Sequence, residues 1–395
     1  MRIAVVFDGL GIGGIERVGI NYIKLLIELG HDVDIINLNP KQTCMEKMIP
    51  KKCRLYHETF SKKLTPEYYE KLIKYAWWGR FIYPIVFLCI QLIYGLYKIL
   101  IVFKYRRIKY DVAIAFSGHF NDLTYISENF VKTKKKVCWL HGSIIEYALI
   151  SDGYINLYKK IKNLVVLSDE LQEKFFQSNK FIRLENILNI KKIYNPIFVE
   201  EKLSPKDRID EIKNMYGLFG LMVARFTYPK DFKTVIDAVK ILREQYSVNF
   251  NVLFVGDGPD YFTVQKYAAK NELLNRGVYF IGATLDVKKY YEAAHLFILS
   301  SLEEGLPTVV LEAMNFGLPV ISTDCKFGAR EILKDSEYGI IIPVKNPKKM
   351  AESIATILDN KEMYVHYQKK GAERLESFRP LNIKKQLDEY MNNLI

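Results

Sequence analysis

The sequence predicts an α/β protein with two parallel sheets, each covered by helices. Short apolar runs alternate with helical patterns in two separate series, an order typical of parallel strands joined by crossover helices. The pattern breaks near Asn195–Pro196, and residues 200–210 are polar and charged. A length of 395 residues also suits two or three domains. We therefore predict two doubly wound domains that face a central cleft.

The first domain is predicted over residues 1–196 and opens with an apolar strand at residues 2–7. A glycine-rich loop, a helical pattern and a second strand, HDVDIINLN, complete a βαβ unit. Further strands are predicted at residues 111–116, 136–140 and 163–167. This order of elements is that of a Rossmann-like domain.

The second domain, also Rossmann-like, is predicted over residues 197–378. Its strands are predicted at residues 219–224, 250–255, 278–281, 296–299 and 319–322. We expect the amphipathic segment at residues 379–395 to form a last helix that returns to the first domain. Ligands of such sheets bind beyond the carboxyl ends of the strands, so we expect the site there.

The composition is that of an ordinary globular protein, with 49% hydrophobic and 26% charged residues. It excludes a disordered chain, a collagen and a disulfide scaffold. The five cysteines form no C-x-x-C pair, which argues against a zinc ribbon and suits a reducing compartment. Only five apolar residues separate Arg2 from Asp8, too few for the core of a secretory signal. We therefore expect a cytoplasmic protein.

Positive charge is concentrated in the first half of the chain. The net charge is +12, and residues 1–196 hold 30 Lys and Arg against 18 Asp and Glu. Residues 41–109 alone hold 15 basic and 4 acidic residues. Such a surface usually faces a membrane, a nucleic acid or another polyanion. A solvated basic face is the other interpretation, and the sequence contains no motif for specific nucleic-acid recognition.

One apolar stretch, FIYPIVFLCIQLIYGLYKILIVF, covers residues 81–103. At ~1.5 Å per residue, a helix of this length could span a bilayer. Its less apolar residues, which recur at helical spacing on one face, are Gln91, Tyr94, Gly95 and Lys98. The aromatic and basic residues that flank it are Trp77, Trp78, Arg80, Lys104, Tyr105, Arg106 and Arg107.

Three interpretations of this stretch are open: an interfacial helix, a buried core helix and a transmembrane span. Basic and aromatic ends on a one-sided apolar helix are typical of an interfacial helix. A span would place residues 1–80 and 104–395 on opposite sides of the membrane, although motifs in both parts are expected to serve one site. We therefore expect the helix to dip into one leaflet.

The loop after the first strand contains Gly9, Gly11 and Gly14 in the order G-x-G-x-x-G. Glycines let backbone N–H groups approach a phosphate at a helix N-terminus, and a tight turn into a packed helix is the alternative. A dinucleotide site would also need an acidic residue at the end of the second strand. That strand ends in Asn-Leu-Asn at residues 37–39, which argues against an NAD-dependent oxidoreductase.

Asp32 and Asp34 form a D-x-D motif, which could bind a metal–diphosphate group. The motif stands at the start of the second strand, away from its carboxyl end. We therefore expect both carboxylates to face solvent, and we predict no metal site.

The most informative segment is SSLEEGLPTVVLEAMNFGLPVISTD, in which Glu304 and Glu312 are eight residues apart. Pro307 favours the start of a helix between them. The free N–H groups near Thr308 and Val309 would stabilise a diphosphate at this helix start. A carboxylate on the same face can accept hydrogen bonds from both hydroxyls of a ribose.

This segment resembles the E-x7-E region of the family-4 glycosyltransferases, retaining enzymes with the GT-B fold. VARFTYPKDFKTVIDAV is similar to the R-x4-K stretch of that family, with Arg225 and Lys230 at the two basic positions. FVGDGP, FIGATLDVKKYYEAA and the opening GIGGIERV follow the family order. STDCKFGAREIL resembles a variant found in enzymes that build bacterial surface polysaccharides. The resemblance extends from residue 1 to about residue 375.

The resemblance implies a donor site in the second domain. Glu312 would hold the donor ribose, and Arg225 and Lys230 would neutralise the diphosphate leaving group. The backbone N–H groups of Thr308 and Val309 would bind the same diphosphate. These roles follow from the matching positions of the family motif.

The resemblance also implies residues around the transferred sugar. Glu304 would contact this sugar, and Gly14 would let the N-terminal loop close over the diphosphate. His141, in WLHGS, matches the active-site histidine of the family, and a structural histidine at a strand end is the alternative. Glu304, His141, Arg225 and Lys230 are thus the predicted catalytic residues, with no cofactor and no metal.

The implied activity is retaining transfer of a hexose or N-acetylhexosamine from a nucleotide sugar to a saccharide in bacterial polysaccharide or glycan assembly. We expect a UDP-sugar as the donor, with guanine as the other possible base. A polyprenyl-diphosphate-linked acceptor on the inner face of the cell membrane suits the basic first domain. The alternatives are a non-catalytic partner subunit that binds a nucleotide sugar and, less favoured, an NAD-dependent oxidoreductase.

Overall fold

The computed structural model describes residues 1–61, 63, 78–142, 153–169, 187–198, 204–284, 286–325 and 328–394. The chain forms two compact units, each with one parallel sheet. The first unit comprises Met1–Pro196 and Ile383–Ile395, and the second comprises Ile197–Asn382. The predicted α/β class is confirmed. Some residues of the predicted motifs lie outside the described residues: Trp77, which flanks the predicted interfacial helix, Ser143 of WLHGS, Leu285 of FIGATLDVKKYYEAA, and Lys326 and Phe327 of STDCKFGAREIL.

The first unit contains a seven-stranded sheet in the order β3-β2-β1-β4-β5-β6-β7. Its strands are β1 (Arg2–Phe7), β2 (Asp32–Asn37), β3 (Arg54–His57), β4 (Lys109–Ala115), β5 (Lys132–Leu140), β6 (Asn163–Val166) and β7 (Asn189–Lys192). Its first four described helices are α1 (Gly14–Glu28), α2 (Gly79–Tyr105), α3 (Phe120–Ser127) and α4 (Gly153–Ile161). β3 and β7 are not predicted from the sequence, because these short edge strands, RLYH and NIKK, carry few apolar residues.

The second unit contains a six-stranded sheet in the order β10-β9-β8-β11-β12-β13. Its strands are β8 (Phe219–Val223), β9 (Asn251–Val255), β10 (Val278–Gly282), β11 (Leu296–Leu299), β12 (Val320–Thr323) and β13 (Ile340–Ile342). Its helices are α5 (Lys206–Tyr216), α6 (Phe232–Gln245), α7 (Tyr261–Lys270), α8 (Lys288–Ala293), α9 (Thr308–Asn315), α10 (Ala329–Leu333), α11 (Pro347–Asp359) and α12 (Lys361–Leu375).

Each sheet has a point at which the strand order reverses. In the first sheet this point lies between β1 and β4, and in the second it lies between β8 and β11. The loops that leave two such strands run to opposite faces of the sheet and leave a crevice at the carboxyl ends. The residues that follow β1, β4, β8 and β11 are therefore placed to bind ligands.

Helix α1 packs tightly on β1 and carries the glycine-rich loop at its start. A Cβ added at Gly19 would lie 2.4 Å from the ring of Phe7, so only glycine allows this approach. On the next turn of the helix, the Tyr22 hydroxyl donates a hydrogen bond to the carbonyl oxygen of Tyr194 (2.7 Å). These contacts hold the start of α1 against the first sheet.

The last helix, α13 (Pro380–Leu394), packs on the first unit. Its buried residues include Ile383, Leu387 and Tyr390. The Tyr390 ring lies 6.3 Å from the Trp139 ring, and Lys384 forms an ion pair of 3.0 Å with Glu28 of α1. The helix therefore closes the first unit with residues from the end of the chain.

The D-x-D motif is divided between solvent and core, so our expectation for Asp34 is wrong. Asp32 is exposed, whereas Asp34 is fully buried. The Asp34 carboxylate accepts hydrogen bonds from Arg2 (2.9 Å), Arg54 (2.6 Å) and Tyr110 (2.9 Å). Asp34 lies two residues further into the sheet, where β1, β3 and β4 supply these donors. It links three strands and takes no part in the carboxyl edge.

Helix α2 contains the predicted apolar helix and exposes its apolar side to the surroundings. Twelve of the twenty-two exposed large hydrophobic side chains of the described residues lie on it, with Phe81, Leu88 and Leu100 exposed by 76%, 62% and 69%. Residues Phe81–Tyr105 are long and apolar enough to cross a membrane, yet only 11% of the most apolar window is buried. The interpretation as a buried core helix is therefore wrong.

The opposite side of α2 carries the polar groups and packs on the first unit. The Tyr97 hydroxyl donates to the carbonyl oxygen of Thr59 (2.9 Å), and the Tyr105 hydroxyl donates to Glu58 (2.7 Å). Lys98 lies 3.6 Å from Glu128. Ile90 and Ile101 are also buried on this side, but most apolar side chains of α2 face outward, whereas surface helices of soluble proteins turn their apolar side inward.

Candidate active site

The predicted residues of the second domain gather at the point of reversal of the second sheet. Arg225 and Lys230 follow β8, and Glu304 follows β11. β8 and β11 are hydrogen-bonded neighbours, and both run in the same direction. The helix that carries Thr308 and Glu312 begins a few residues after Glu304. The structure therefore brings all six predicted residues of this unit to one edge of one sheet.

Lys230 and Glu304 are in direct contact. The Lys230 ammonium forms an ion pair with Glu304 Oε1, which also accepts a hydrogen bond from the Ser301 hydroxyl (2.6 Å). The Ser300 hydroxyl donates to the carbonyl oxygen of Lys230 (2.7 Å). Both charged side chains are only partly exposed, 21% for Lys230 and 13% for Glu304. The loop after β8 is thus tied to the loop after β11 at the cationic residue.

The start of α9 offers free backbone donors beside this pair. Pro307 stands before the first helical residue, and the Val310 N–H donates to the Pro307 carbonyl (3.0 Å). Among the described residues, no backbone group accepts a hydrogen bond from the N–H of Thr308 or Val309. The first N–H groups of a helix carry a partial positive charge that favours an anion. This is the position predicted for the diphosphate.

Glu312 lies on the second turn of α9 and is held from one side. The Tyr291 hydroxyl, from α8, donates to Glu312 Oε2 (3.1 Å). The Tyr291 ring is stacked on that of Phe316, with centroids 5.4 Å apart. Aromatic packing therefore fixes the hydroxyl that orients the carboxylate, and an oriented carboxylate is suited to the two hydroxyls of a ribose.

Arg225 is exposed, and among the described residues it forms no ion pair. The next residue is fully buried, and its carbonyl oxygen would lie 2.4 Å from a Cβ added at Gly258. Gly258, the second glycine of FVGDGP, thus lets the loop after β9 pass close to the Arg225 loop. The guanidinium is left available to a ligand at the carboxyl edge.

Gly14 is the first residue of α1, and a Cβ added there would meet no atom of the described residues within 4 Å. The contacts within the first unit therefore do not require glycine at this position. Gly9 differs, because an added Cβ would lie 2.1 Å from the side chain of Gln42. Gly14 and His141 belong to the first unit, whereas the other predicted residues belong to the second.

His141 follows β5 and is half-buried. Its Nε2 lies 2.8 Å from the carbonyl oxygen of Phe116, which can only accept, so Nε2 carries a proton. Burial lowers the pKa of His141 to about 4, although the hydrogen bond to Phe116 acts in the other direction. The imidazole is therefore neutral at neutral pH, with the lone pair on Nδ1. It can accept a hydrogen bond from a sugar hydroxyl, but it supplies no positive charge.

One group of polar residues at the carboxyl edge of the first sheet is not predicted from the sequence. Asp8 follows β1, and Ser117, His119, Asn121 and Asp122 follow β4. The available signal was the placement of DGLG and SGHFND after two apolar strands. Only the strand order shows that these two strands are neighbours at the point of reversal.

The fold defines a class of protein, the glycosyltransferases with the GT-B fold. Residues 204–374 match the family model "Glycosyl transferases group 1". The crystal structure of HepE from Anabaena in complex with UDP-glucose has a TM-score of 0.75 at 18% identity, with 100% of both chains covered. This similarity shows the fold. The second unit belongs to the group 1 glycosyl transferases, as the resemblance to family-4 enzymes predicts.

Two curated relatives agree with this assignment. An uncharacterized glycosyltransferase of Haemophilus influenzae is 24% identical over 388 residues, which cover 96% of this chain and 95% of the relative. The N,N'-diacetylbacillosaminyl-diphospho-undecaprenol alpha-1,3-N-acetylgalactosaminyltransferase of Campylobacter jejuni is 26% identical over 231 residues. This second match covers 55% of this chain and 58% of the relative.

Proposed function

We propose that this glycosyltransferase is a retaining, metal-independent enzyme that transfers a hexose or N-acetylhexosamine from a UDP-sugar to a lipid-linked saccharide. It works at the inner face of the cell membrane in the assembly of a bacterial polysaccharide or glycan. The acceptor is a saccharide on a polyprenyl diphosphate, the kind of substrate named for the Campylobacter jejuni relative.

The observation that carries the proposal is the meeting of positive groups at the carboxyl ends of β8 and β11. Arg225, the Lys230 ammonium and the free N–H groups at the start of α9 lie at one edge of one sheet. Glycosyl transfer passes through an oxocarbenium-like state while the leaving diphosphate gains negative charge. Fixed cations and oriented N–H groups stabilise this charge as it develops.

The contacts of Glu304 support a role for this residue beside the transferred sugar. Its Oε1 is engaged by Lys230 and Ser301, which fixes the carboxylate at the donor edge. A negative carboxylate there can accept hydrogen bonds from sugar hydroxyls and stabilise the positive charge of the sugar ring. The acceptor hydroxyl attacks from the side of the leaving group, which keeps the anomeric configuration, and its proton passes to the departing phosphate oxygen.

Helix α2 supports the membrane part of the proposal. Its polar side chains hold the first unit, and its aliphatic and phenylalanine side chains face outward. Twelve exposed large hydrophobic side chains on one helix indicate a surface that contacts a membrane or a protein. The basic residues Arg106, Arg107 and Lys109 follow directly and are exposed. Each such charge near an anionic surface contributes about 1 kcal/mol, so lipid is the partner that fits both features.

The contacts of α2 favour a helix that lies in the interface over one that crosses the bilayer. Its last three turns are pinned to Glu58, Thr59 and Glu128, which are polar groups of the first unit. Buried polar groups of this kind lie outside a hydrocarbon core. We therefore place only the outward side of α2 among the lipid acyl chains.

Thermal unfolding with nucleotides tests the donor site. We expect UDP and one UDP-sugar to raise the melting temperature, because a ligand that binds only the folded state stabilises it. Lys230→Ala should abolish the shift, whereas Lys240→Ala, on an outer face of α6, should retain it. GDP and NAD are the competing ligands. A shift with NAD alone would exclude the proposal. A shift with GDP alone would show that the donor is a GDP-sugar and not a UDP-sugar.

Product analysis tests the mechanism. We expect UDP release and glycoside formation to continue in excess EDTA, and we expect NMR of the product to show the anomeric configuration of the donor. Loss of activity in EDTA that is restored by Mg²⁺ or Mn²⁺ would refute the metal-independent mechanism. An inverted product would refute retention.

A further inference from the structure

At the point of reversal of the first sheet, a carboxylate and an imidazole form a hydrogen-bonded pair. The N–H of Asp8 donates to the Ser117 hydroxyl (3.0 Å), which fixes the end of β1 to the end of β4. His119 Nδ1 lies 3.2 Å from Asp8 Oδ2, and Asn121 Nδ2 donates to Asp8 Oδ1 (2.5 Å). The pair therefore occupies the crevice where parallel sheets bind ligands.

The loop that carries His119 is built around a glycine and a buried aspartate. Gly118 has φ +65, and a Cβ added there would lie 2.6 Å from the carbonyl oxygen of Trp139. Its N–H donates to Asp122 Oδ2 (2.8 Å). Asp122 is fully buried, and among the described residues its Oδ1 has no hydrogen-bond partner. Burial raises the pKa of Asp122 to about 7, and a buried carboxyl with a perturbed pKa beside a crevice is a feature of functional sites.

Asp8 and His119 both remain open to a ligand. The side chain of His119 is 42% exposed, and that of Asp8 is 26% exposed. A carboxylate accepts, so Nδ1 of His119 carries a proton and donates it to Asp8. The hydrogen bonds of the described residues leave Nε2 without a partner. The pair thus presents an imidazole nitrogen beside a carboxylate.

The charges around His119 favour a neutral ligand over an anion. The hydrogen bond to Asp8 raises the pKa of His119, and the carboxylates of Asp122 and Glu16 act in the same direction. Nδ1 donates to Asp8, whereas Nε2 accepts a hydrogen bond in the neutral imidazole and donates one in the protonated imidazole. Asp8 and Glu16 are the acidic neighbours of this ring, and burial raises the pKa of Asp122 to about 7, so these surroundings disfavour a phosphate. A hydroxyl group, which both donates and accepts, matches the pair.

We propose that Asp8 and His119 form the subsite for a hydroxyl group of the acceptor sugar. Asp8 accepts the hydrogen bond of this hydroxyl, and His119 Nε2 forms the second contact with it, as donor to the hydroxyl oxygen in the protonated ring and as an alternative acceptor of its proton in the neutral ring. Asn121 and the Gly118–Asp122 loop position the pair. The inference rests on the proposed function and adds to it the part of the first unit that holds the acceptor.

Saturation-transfer NMR with simple glycosides tests this subsite. The probe is an equimolar mixture of the methyl α- and β-glycosides of glucose, galactose, N-acetylglucosamine and N-acetylgalactosamine, with UDP present. The variants are Asp8→Asn and His119→Gln. The matched control is Asp111→Asn, which removes a carboxylate of equal exposure (27%) at the other end of β4. The UDP-induced shift in melting temperature is measured on every variant.

We expect at least one glycoside to bind the wild type and Asp111→Asn, and to bind Asp8→Asn and His119→Gln about 10- to 100-fold more weakly. This range corresponds to the loss of one hydrogen bond to a charged group. The UDP shift should be unchanged in all variants, and inorganic phosphate should not displace the glycoside.

Four results would overturn the subsite: equal glycoside binding in all variants, no glycoside bound by the wild type, displacement by phosphate, or joint loss of folding and UDP binding in both variants. The last result would show that the pair is a structural link between β1 and β4. Failure of the proposed function is distinct, because it appears as a wild type that does not respond to UDP.

Discussion

Replacing Leu88 and Leu92 by glutamine should release the protein from anionic vesicles while leaving it folded. Each leucine is 62% exposed in the structure, so most of its apolar surface is still available to lipid. Complete burial of a leucine contributes about 1.5–3 kcal/mol, and the exposed share therefore about 1–2 kcal/mol. The two together give about 2–4 kcal/mol, which corresponds to about a 100-fold lower partition coefficient.

The assay is flotation with vesicles of phosphatidylglycerol and phosphatidylcholine at low salt. Met215→Gln is the matched control, because Met215 is 63% exposed on α5 of the second unit. It should float as the wild type does, and the melting temperatures of all three proteins should agree, because these side chains lie at the surface. A double variant that floats with the wild type, or a wild type that does not float, would refute the lipid-facing role of α2.

Three further predictions concern the donor site, the first sheet and pH. Glu312→Gln should weaken UDP binding about 10-fold or more in calorimetry, since a charged acceptor for the ribose is lost, while Glu352→Gln on α11 should bind normally. Asp34→Ala should lower the free energy of unfolding in urea by about 1–3 kcal/mol, because the buried Tyr110 hydroxyl and two partly exposed arginines lose their acceptor, and exposed Asp32→Ala should change it little. The pKa of His141 is lowered to about 4 from 6.5, so the unfolded state binds more protons between these values. The stabilisation is complete above pH 6.5 and is lost as the pH falls towards 4; the wild type should lose about 3 kcal/mol more than His141→Gln over this range, and parallel urea profiles would contradict it.

The second sheet, and the position of the six predicted residues at its edge, could be predicted because the signals there are local. Pro307 starts a helix at the residue where the family motif needs free N–H groups, and the two basic residues follow one apolar strand. The spacing could not show that Lys230 would contact Glu304, because this contact depends on β8 and β11 being neighbours across about 75 residues. Contacts that depend on strand order have no short-range pattern in the sequence that could predict them.

The first sheet was harder to predict for the same reason. Asp8 and His119 are more than a hundred residues apart and meet only because β4 lies beside β1. Asp34 was expected at the surface, because a D-x-D motif after a turn suggests solvent, whereas Arg54 comes from an edge strand too short to recognise. The apolar stretch of α2 was recognised, but the outward orientation of its apolar side required knowing which side touches the sheet.

Strand β4 connects helix α2 to the loop of His119 at a fixed distance. Its amino end follows α2 directly, and its carboxyl end leads into the loop of His119. Seven residues at ~3.3 Å each span about 23 Å, a length that hydrogen bonds to β1 and β5 on both sides hold constant. For a lipid-linked acceptor anchored at α2, the distance to the His119 loop would therefore be fixed. The number of sugars between the diphosphate and the reactive hydroxyl would decide whether this hydroxyl reaches the His119 loop.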